Sequence, residues 1–185
     1  MSNEEQHICP WRRAYLFDNI LRRLLHNPKK ILGEYVKPGD TVADFGCGMG
    51  FFSLAMARMV GEKGKVISVD LQPEMLTVLI SRAKRRGLQD IIQPHNCEVD
   101  TLGVSDQLDF ALAFWMVHEV PDAGKFLHEV HSILKPGASL LIAEPKGHIT
   151  SEKINEYKSV ASNLGFTEQP VDKIRMSVSL LFIRQ

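Results

Sequence analysis

No apolar run in this chain reaches the roughly 18–20 residues needed to span a bilayer as a helix. Charge of either sign is in no excess, with 22 basic against 22 acidic residues. The first absence excludes a helical membrane span. The second removes the basic footprint that phosphate recognition usually leaves, and so argues against nucleic acid and against anionic lipid. Cysteine is scarce. Cys9, Cys47 and Cys97 lie far apart and form no C-x-x-C, so neither a zinc ribbon nor a disulfide framework is expected. A secretory leader would carry positive charge before an apolar run, whereas Glu4 and Glu5 stand here, and a reducing, cytoplasmic setting is expected. One local imbalance exists, seven Lys/Arg against four Asp/Glu in residues 1–37, which reads as a solvated helix face.

What is present is enough for one domain. With 185 residues, 44% of them hydrophobic and 24% charged, the chain can bury a single core and leaves no room for a second catalytic domain. Residues 11–26 have helical apolar spacing, with Ala14, Tyr15, Phe17, Ile20, Leu21, Leu24 and Leu25 on one face. A turn at 36–40 leads to strands predicted over 41–45 and 65–70, with a helix between them running to Val60. Pro73 opens a further helix that Gly87 closes. A third strand is predicted near 91–95. Residues 108–115 are almost continuously apolar, the mark of a central parallel strand buried on both faces. A helix at 122–134 is stopped by Lys135-Pro136-Gly137, and 138–143 is strand five. Ser151 caps a helix to Leu164, and strands near 166–171 and 176–183 form a hairpin that adds an antiparallel edge strand. This alternation predicts a doubly wound, Rossmann-like α/β sheet of seven mostly parallel strands.

The chemistry concentrates at Val42-Ala43-Asp44-Phe45-Gly46-Cys47-Gly48-Met49-Gly50, followed 20 residues after its last glycine by the strand end Val66-Ile67-Ser68-Val69-Asp70. A strand, a glycine turn, a helix and a second strand ending in acid make half of a nucleotide-binding sheet, the carboxylate placed for ribose hydroxyls. The dinucleotide fingerprint wants Gly or Ala where Phe51 stands, which disfavours an NAD-linked oxidoreductase. The spacing is instead G-x-G-x-G with Asp44 two residues before it. An acid beside the turn repels a pyrophosphate and attracts an amine or cation. S-adenosylmethionine (SAM) carries adenosine, an amino group and a sulfonium, and no phosphate.

These residues resemble the first motif of class I SAM-dependent methyltransferases. From about 37 to 144 the chain is similar to the ubiquinone/menaquinone-methyltransferase-like group, through the loop at 44–50, Asp70, the Asp109 to Trp115 strand and the Leu134-Lys135-Pro136-Gly137-Ala138 turn. The resemblance implies an enzyme that moves a methyl group from SAM to a small-molecule acceptor, leaving S-adenosylhomocysteine. It implies that Asp44, Gly46, Cys47, Gly48 and Gly50 line the methionine and ribose of SAM. Asp70 would hold the ribose hydroxyls, Leu71 would lie against adenine, and Phe114 would offer backbone to the methionine amino group. The Gly-Asp pair usual after strand three is missing, which leaves the adenine contact open among Asn96, Cys97 and Glu98.

On the acceptor side, His118 and Glu119 follow strand four. His118 has the residue type to take a proton near neutral pH, and Glu119 to orient that imidazole or touch substrate; bracing of the loop is the other reading. Methyl transfer needs mainly in-line placement, so a base is not obligatory. The single domain is expected to divide into an N-terminal helical lid, residues 1–36, with Trp11, Tyr15 and Phe17 over the acceptor, and a Rossmann-like core, residues 37–185. No metal is expected: His128 and His131 share a helix face without a third ligand beside them. The cysteines raise an arsenite-methylating alternative. A non-catalytic SAM-binding or interaction module is the remaining rival, and the oligomeric state stays open.

Overall fold

The computed structural model describes residues 25–185. The lid expected from Trp11, Tyr15 and Phe17, and Cys9 with it, lies outside the described residues. Seven strands form one sheet in the order β3-β2-β1-β4-β5-β7-β6. They are β1 (Thr41–Phe45), β2 (Lys65–Asp70), β3 (Ile92–Asn96), β4 (Leu108–Phe114), β5 (Leu134–Pro145), β6 (Phe166–Gln169) and β7 (Ser177–Arg184). β1 to β5 are mutually parallel, and β7 runs antiparallel to both β5 and β6. The expected antiparallel strand is therefore present one place in from the edge, which β6 occupies.

Helices α1 (Pro28–Leu32), α2 (Ser53–Val60), α3 (Pro73–Lys84), α4 (Ala123–Ile133) and α5 (Ser151–Asn163) cover the sheet. Strand residues divide by parity. Val42, Val66, Phe110 and Leu112 pack with Leu32 of α1, Met56 and Val60 of α2 and Leu79 of α3. Ala43, Phe45, Ile67 and Val69 pack on the other face with Phe126 and Val130 of α4 and Tyr157 of α5. Strands between two helical layers must be apolar on both sides, which is why β1 and β4 read as nearly continuous hydrophobic runs.

Two local expectations are corrected. The helix after Ile149 is capped by Thr150, not Ser151: the Thr150 hydroxyl accepts from the Lys153 N–H at 3.3 Å, and Ser151 is already helical. Lys135-Pro136-Gly137 does not precede strand five but lies inside it. Leu134 pairs with Leu108 and Ser139 with Phe110, so the intervening residues bulge out of the ladder.

The strand order reverses direction between β1 and β4, and it is there, past the carboxyl ends of the strands, that open α/β sheets leave a crevice. The turn after β1 reaches it with backbone alone. Gly50 has φ +84°, and a Cβ on it would overlap the Leu79 side chain of α3. Gly87, at φ +66°, has nothing within 4 Å of a Cβ. Gly50→Ala should thus cost about 2–4 kcal/mol, from left-handed strain plus overpacking, and Gly87→Ala only about 1 kcal/mol. Equal urea midpoints for the two variants would contradict this packing.

Candidate active site

A cleft of about 540 Å³ opens past the ends of β1, β2 and β4. Gly46 and Gly48 form one wall, and Asp70 and Leu71 the floor beside them. Cys97 and Glu98 come from the loop after β3. Phe114, His118 and Glu119 come from the end of β4 and the 3-10 turn Val117–Glu119. Nine residues predicted from sequence are thus brought to one cavity. Asp44, Cys47, Gly50 and Asn96 are not among its lining residues.

Those four stand behind the wall, each for a visible reason. Asp44 is 2% exposed and accepts the Ser53 hydroxyl at 2.5 Å, which fastens β1 to the start of α2. Cys47 is buried, its N–H donated to the Val69 carbonyl at 2.9 Å. Gly50 is filled by Leu79. Asn96 turns its amide onto the Asp70 and Leu71 carbonyls at 2.9 and 3.0 Å, holding β2 and β3 level where they end.

Asp70 is the hub of the cofactor end. One carboxylate oxygen accepts the Gly48 N–H at 2.8 Å and the other the Gln72 N–H at 2.9 Å. An ionised carboxylate has about four acceptor positions, so capacity for a hydroxyl remains beyond these backbone donors. Burial pushes its pKa up, while the backbone donors of Gln72, Gly48 and Leu71 pull the other way. At Gly48 a Cβ would meet no protein atom within 4 Å, so the backbone there borders open space. Burial likewise pushes the Cys47 thiol well up and the Cys97 thiol to about 11.

At the opposite end, His118 is held by a residue that sequence reasoning missed. Its Nδ1 is hydrogen-bonded to Oε2 of Glu144, a fully buried carboxylate at the end of β5. The other Glu144 oxygen accepts the Val117 N–H at 2.8 Å. Glu119, expected to orient the imidazole, has Oε1 at 3.9 Å from the other ring nitrogen, Nε2. An acid ending the apolar run Leu140-Leu141-Ile142-Ala143 was the available signal, since a buried charge must be paired. Burial works to lower the His118 pKa. The hydrogen bond and charge of Glu144, with the charge of Glu119, outweigh it, and the pKa lies above the ordinary histidine value. His131 faces elsewhere, edge-on to Phe166 at 4.9 Å, and among the described residues no three His, Cys, Asp or Glu side chains are grouped to hold a metal ion.

The turn leaving β4 is strained. Trp115 has φ 60°, a left-handed conformation that costs a side-chain-bearing residue about 1–2 kcal/mol. Its N–H is tied to the Ala143 carbonyl at 2.7 Å and its indole N–H to the Ser177 hydroxyl at 2.9 Å. Those bonds swing the following residues over the cleft. Met116 lies where a Cβ on Gly46 would be, 2.7 Å from its own Cβ, so the glycine wall and the His118 turn pack directly on each other.

A family model described as a methyltransferase domain matches residues 36–175. The demethylmenaquinone methyltransferase of Lactobacillus johnsonii is 34% identical over 110 residues, 59% of this chain and 45% of that one. The 2-phytyl-1,4-naphtoquinone methyltransferase of Synechococcus elongatus is 33% identical over 138 residues, 71% of this chain and 59% of that one. The chain spans about half the length of these curated relatives. Among solved structures, a SAM-dependent methyltransferase from Aquifex aeolicus superposes with a TM-score of 0.80 at 28% identity, covering 93% of this chain and 96% of that one. A further structure from Methanococcus maripaludis, at 17% identity and a TM-score of 0.76, covers 100% of this chain and 97% of its own and shares the fold.

The raised His118 pKa gives a direct check. Its imidazole resonances should titrate above the ordinary value of about 6.5, and Glu144→Gln should bring the midpoint down by more than Glu119→Gln does. Because the folded value is raised, the stability the pair contributes is present at low pH and fades as pH rises through that value. An unmoved midpoint in Glu144→Gln would contradict the pairing.

Proposed function

The chain belongs to the methyltransferase domain family, and from that premise we propose that it transfers a methyl group from SAM to a small apolar acceptor of quinol type. The observation that carries the reading is the placement of two unlike groups in one cleft. A ribose-competent carboxylate, Asp70, sits among exposed backbone at one end, and an imidazole braced by a buried carboxylate sits at the other.

The residues present suit the cofactor. Asp70 keeps acceptor capacity for a ribose hydroxyl, and Gly46 and Gly48 let backbone approach without side chains. Leu71 supplies an apolar surface for adenine, and Cys97 and Glu98 border the same region. When bound, SAM supplies a methyl carbon on a sulfonium, already activated, whose carbon–sulfur bond breaks to leave S-adenosylhomocysteine. Asp44, Cys47, Gly50 and Asn96 act one layer back by setting the shape of the loop.

On the acceptor side, the Nδ1–H of His118 donates to Glu144, which leaves the Nε2 lone pair as the group that accepts a proton. Taking the hydroxyl proton of a quinol concentrates charge on the ring and makes its carbon or oxygen a better nucleophile toward the methyl. Glu144 is a positioning residue in this scheme, since it acts through the imidazole. Trp115, Met116, Val120 and Phe126 make the surrounding lining apolar, which suits an aromatic ring and excludes water from the transfer. The names of the two curated relatives, both quinone methyltransferases, support the same acceptor class. Among the described residues no helix is long and apolar enough to cross a membrane. The free thiols of Cys47 and Cys97 suit a reducing cytoplasm as the setting.

Two measurements test the proposal. In calorimetric titration, SAM and S-adenosylhomocysteine should bind and NADH should not, and Asp70→Ala should weaken binding about 10–100-fold through loss of hydrogen bonds to a charged group. Binding that Asp70→Ala leaves intact would overturn the cofactor placement. With a naphthoquinol acceptor, kcat should rise with pH through the raised His118 pKa, and His118→Gln should lower it about 100-fold or more at unchanged SAM affinity. Full activity in His118→Gln would overturn the proton-accepting role.

A further inference from the structure

Met176 combines a strained backbone with an exposed side chain. It is 54% exposed, and it and Val99 are the exposed large apolar side chains among the described residues; both line the cleft. Its backbone lies at φ 60°, and with Trp115 it completes the pair of non-glycine residues at positive φ in the described chain. A left-handed methionine persists only where its surroundings hold it. Here they do so from the buried side. The Lys146 N–H donates to the Met176 carbonyl at 2.9 Å, and the Ser177 N–H closes the turn onto the Ile174 carbonyl at 3.2 Å. Ser177 is 4% exposed and its hydroxyl receives the Trp115 indole at 2.9 Å. The two strained turns are therefore tied to each other across the acceptor end of the cleft.

With the backbone pinned inward, the Met176 side chain is left at the mouth, where the half-buried Trp115 and Met116 continue the same apolar lining. An exposed thioether gains nothing from water and gains dispersion and desolvation when an apolar ligand covers it. We infer that Met176 carries the apolar tail of the acceptor: the ring lies against His118 and the tail leaves the cleft across the Met176 side chain. The inference rests on the quinol reading above and adds to it a residue that selects for an acceptor with a tail. Methionine suits the role because its unbranched, polarizable chain adapts to a branched isoprenoid surface.

The test compares kcat/KM for reduced 1,4-naphthoquinols carrying hydrogen, a one-isoprene or a two-isoprene tail at ring position 2. Wild type should gain about tenfold from the tailless to the two-isoprene acceptor, a partial burial of the added carbons at the rim. Met176→Gly and Met176→Gln should each lose most of that gain. Met176→Gly relieves the left-handed strain and should melt no lower than wild type, so that its lost gain is not lost fold. The same tail gain in all three proteins overturns the inference and leaves the methyl-transfer reading standing. If wild type binds SAM but methylates no naphthoquinol of any tail length, the acceptor reading and the inference fall together.

Discussion

The carboxylate of Asp70 accepts backbone N–H groups from two directions, Gly48 from the loop after β1 and Gln72 from the entrance to α3. The first bond fastens the glycine loop to the neighbouring strand. The second sets where the next helix starts. Asn96 then ties the carbonyl side of the same strand end to β3. Burial raises the pKa of this carboxyl despite the donors, so the fold disfavours its ionised form relative to the unfolded chain, and a charged Asp70 at neutral pH is a stability cost. A carboxylate kept at such a cost and facing a cavity is what the proposed binding of a ribose would use.

The same economy recurs at the other end of the cleft. Glu144 is fully buried and could not stand there unpaired; the Val117 N–H and the His118 imidazole satisfy both of its oxygens. The pairing fixes the imidazole and, through Val117, the backbone that carries it. Trp115 and Met176 store strain on either side, linked by the indole-to-Ser177 hydrogen bond. Strand ends and the loops tied to them thus form one end of the cleft, and a braced, strained turn forms the other.

Much of this was legible in the sequence where a residue's role is local. β1 and β2 fall on the residues expected, Thr41–Phe45 and Lys65–Asp70, because an apolar run between glycine-bearing turns admits little else. The glycine loop and Asp70 were legible together because their spacing is set by one strand–helix–strand unit. What sequence missed was tertiary. Glu144 reaches His118 from 26 residues away, and the apolar run before it marks a buried acid in need of a partner without saying which one. Asn96 stood with Cys97 and Glu98 as a candidate for the adenine contact, and in the structure its amide nitrogen donates to the Asp70 and Leu71 carbonyls. The inclusion of Lys135-Pro136-Gly137 within β5 was hidden because a bulge uses the same residues as a turn.

Methyl transfer as proposed requires that one ligand join the two ends of the cleft. A crystal structure of the complex with S-adenosylhomocysteine tests this most directly. Both ribose hydroxyls are predicted within hydrogen-bonding distance of Asp70, with the sulfur directed toward the side of the cleft that holds His118. A ribose bound away from Asp70, or a sulfur facing away from the His118–Glu144 pair, would contradict it.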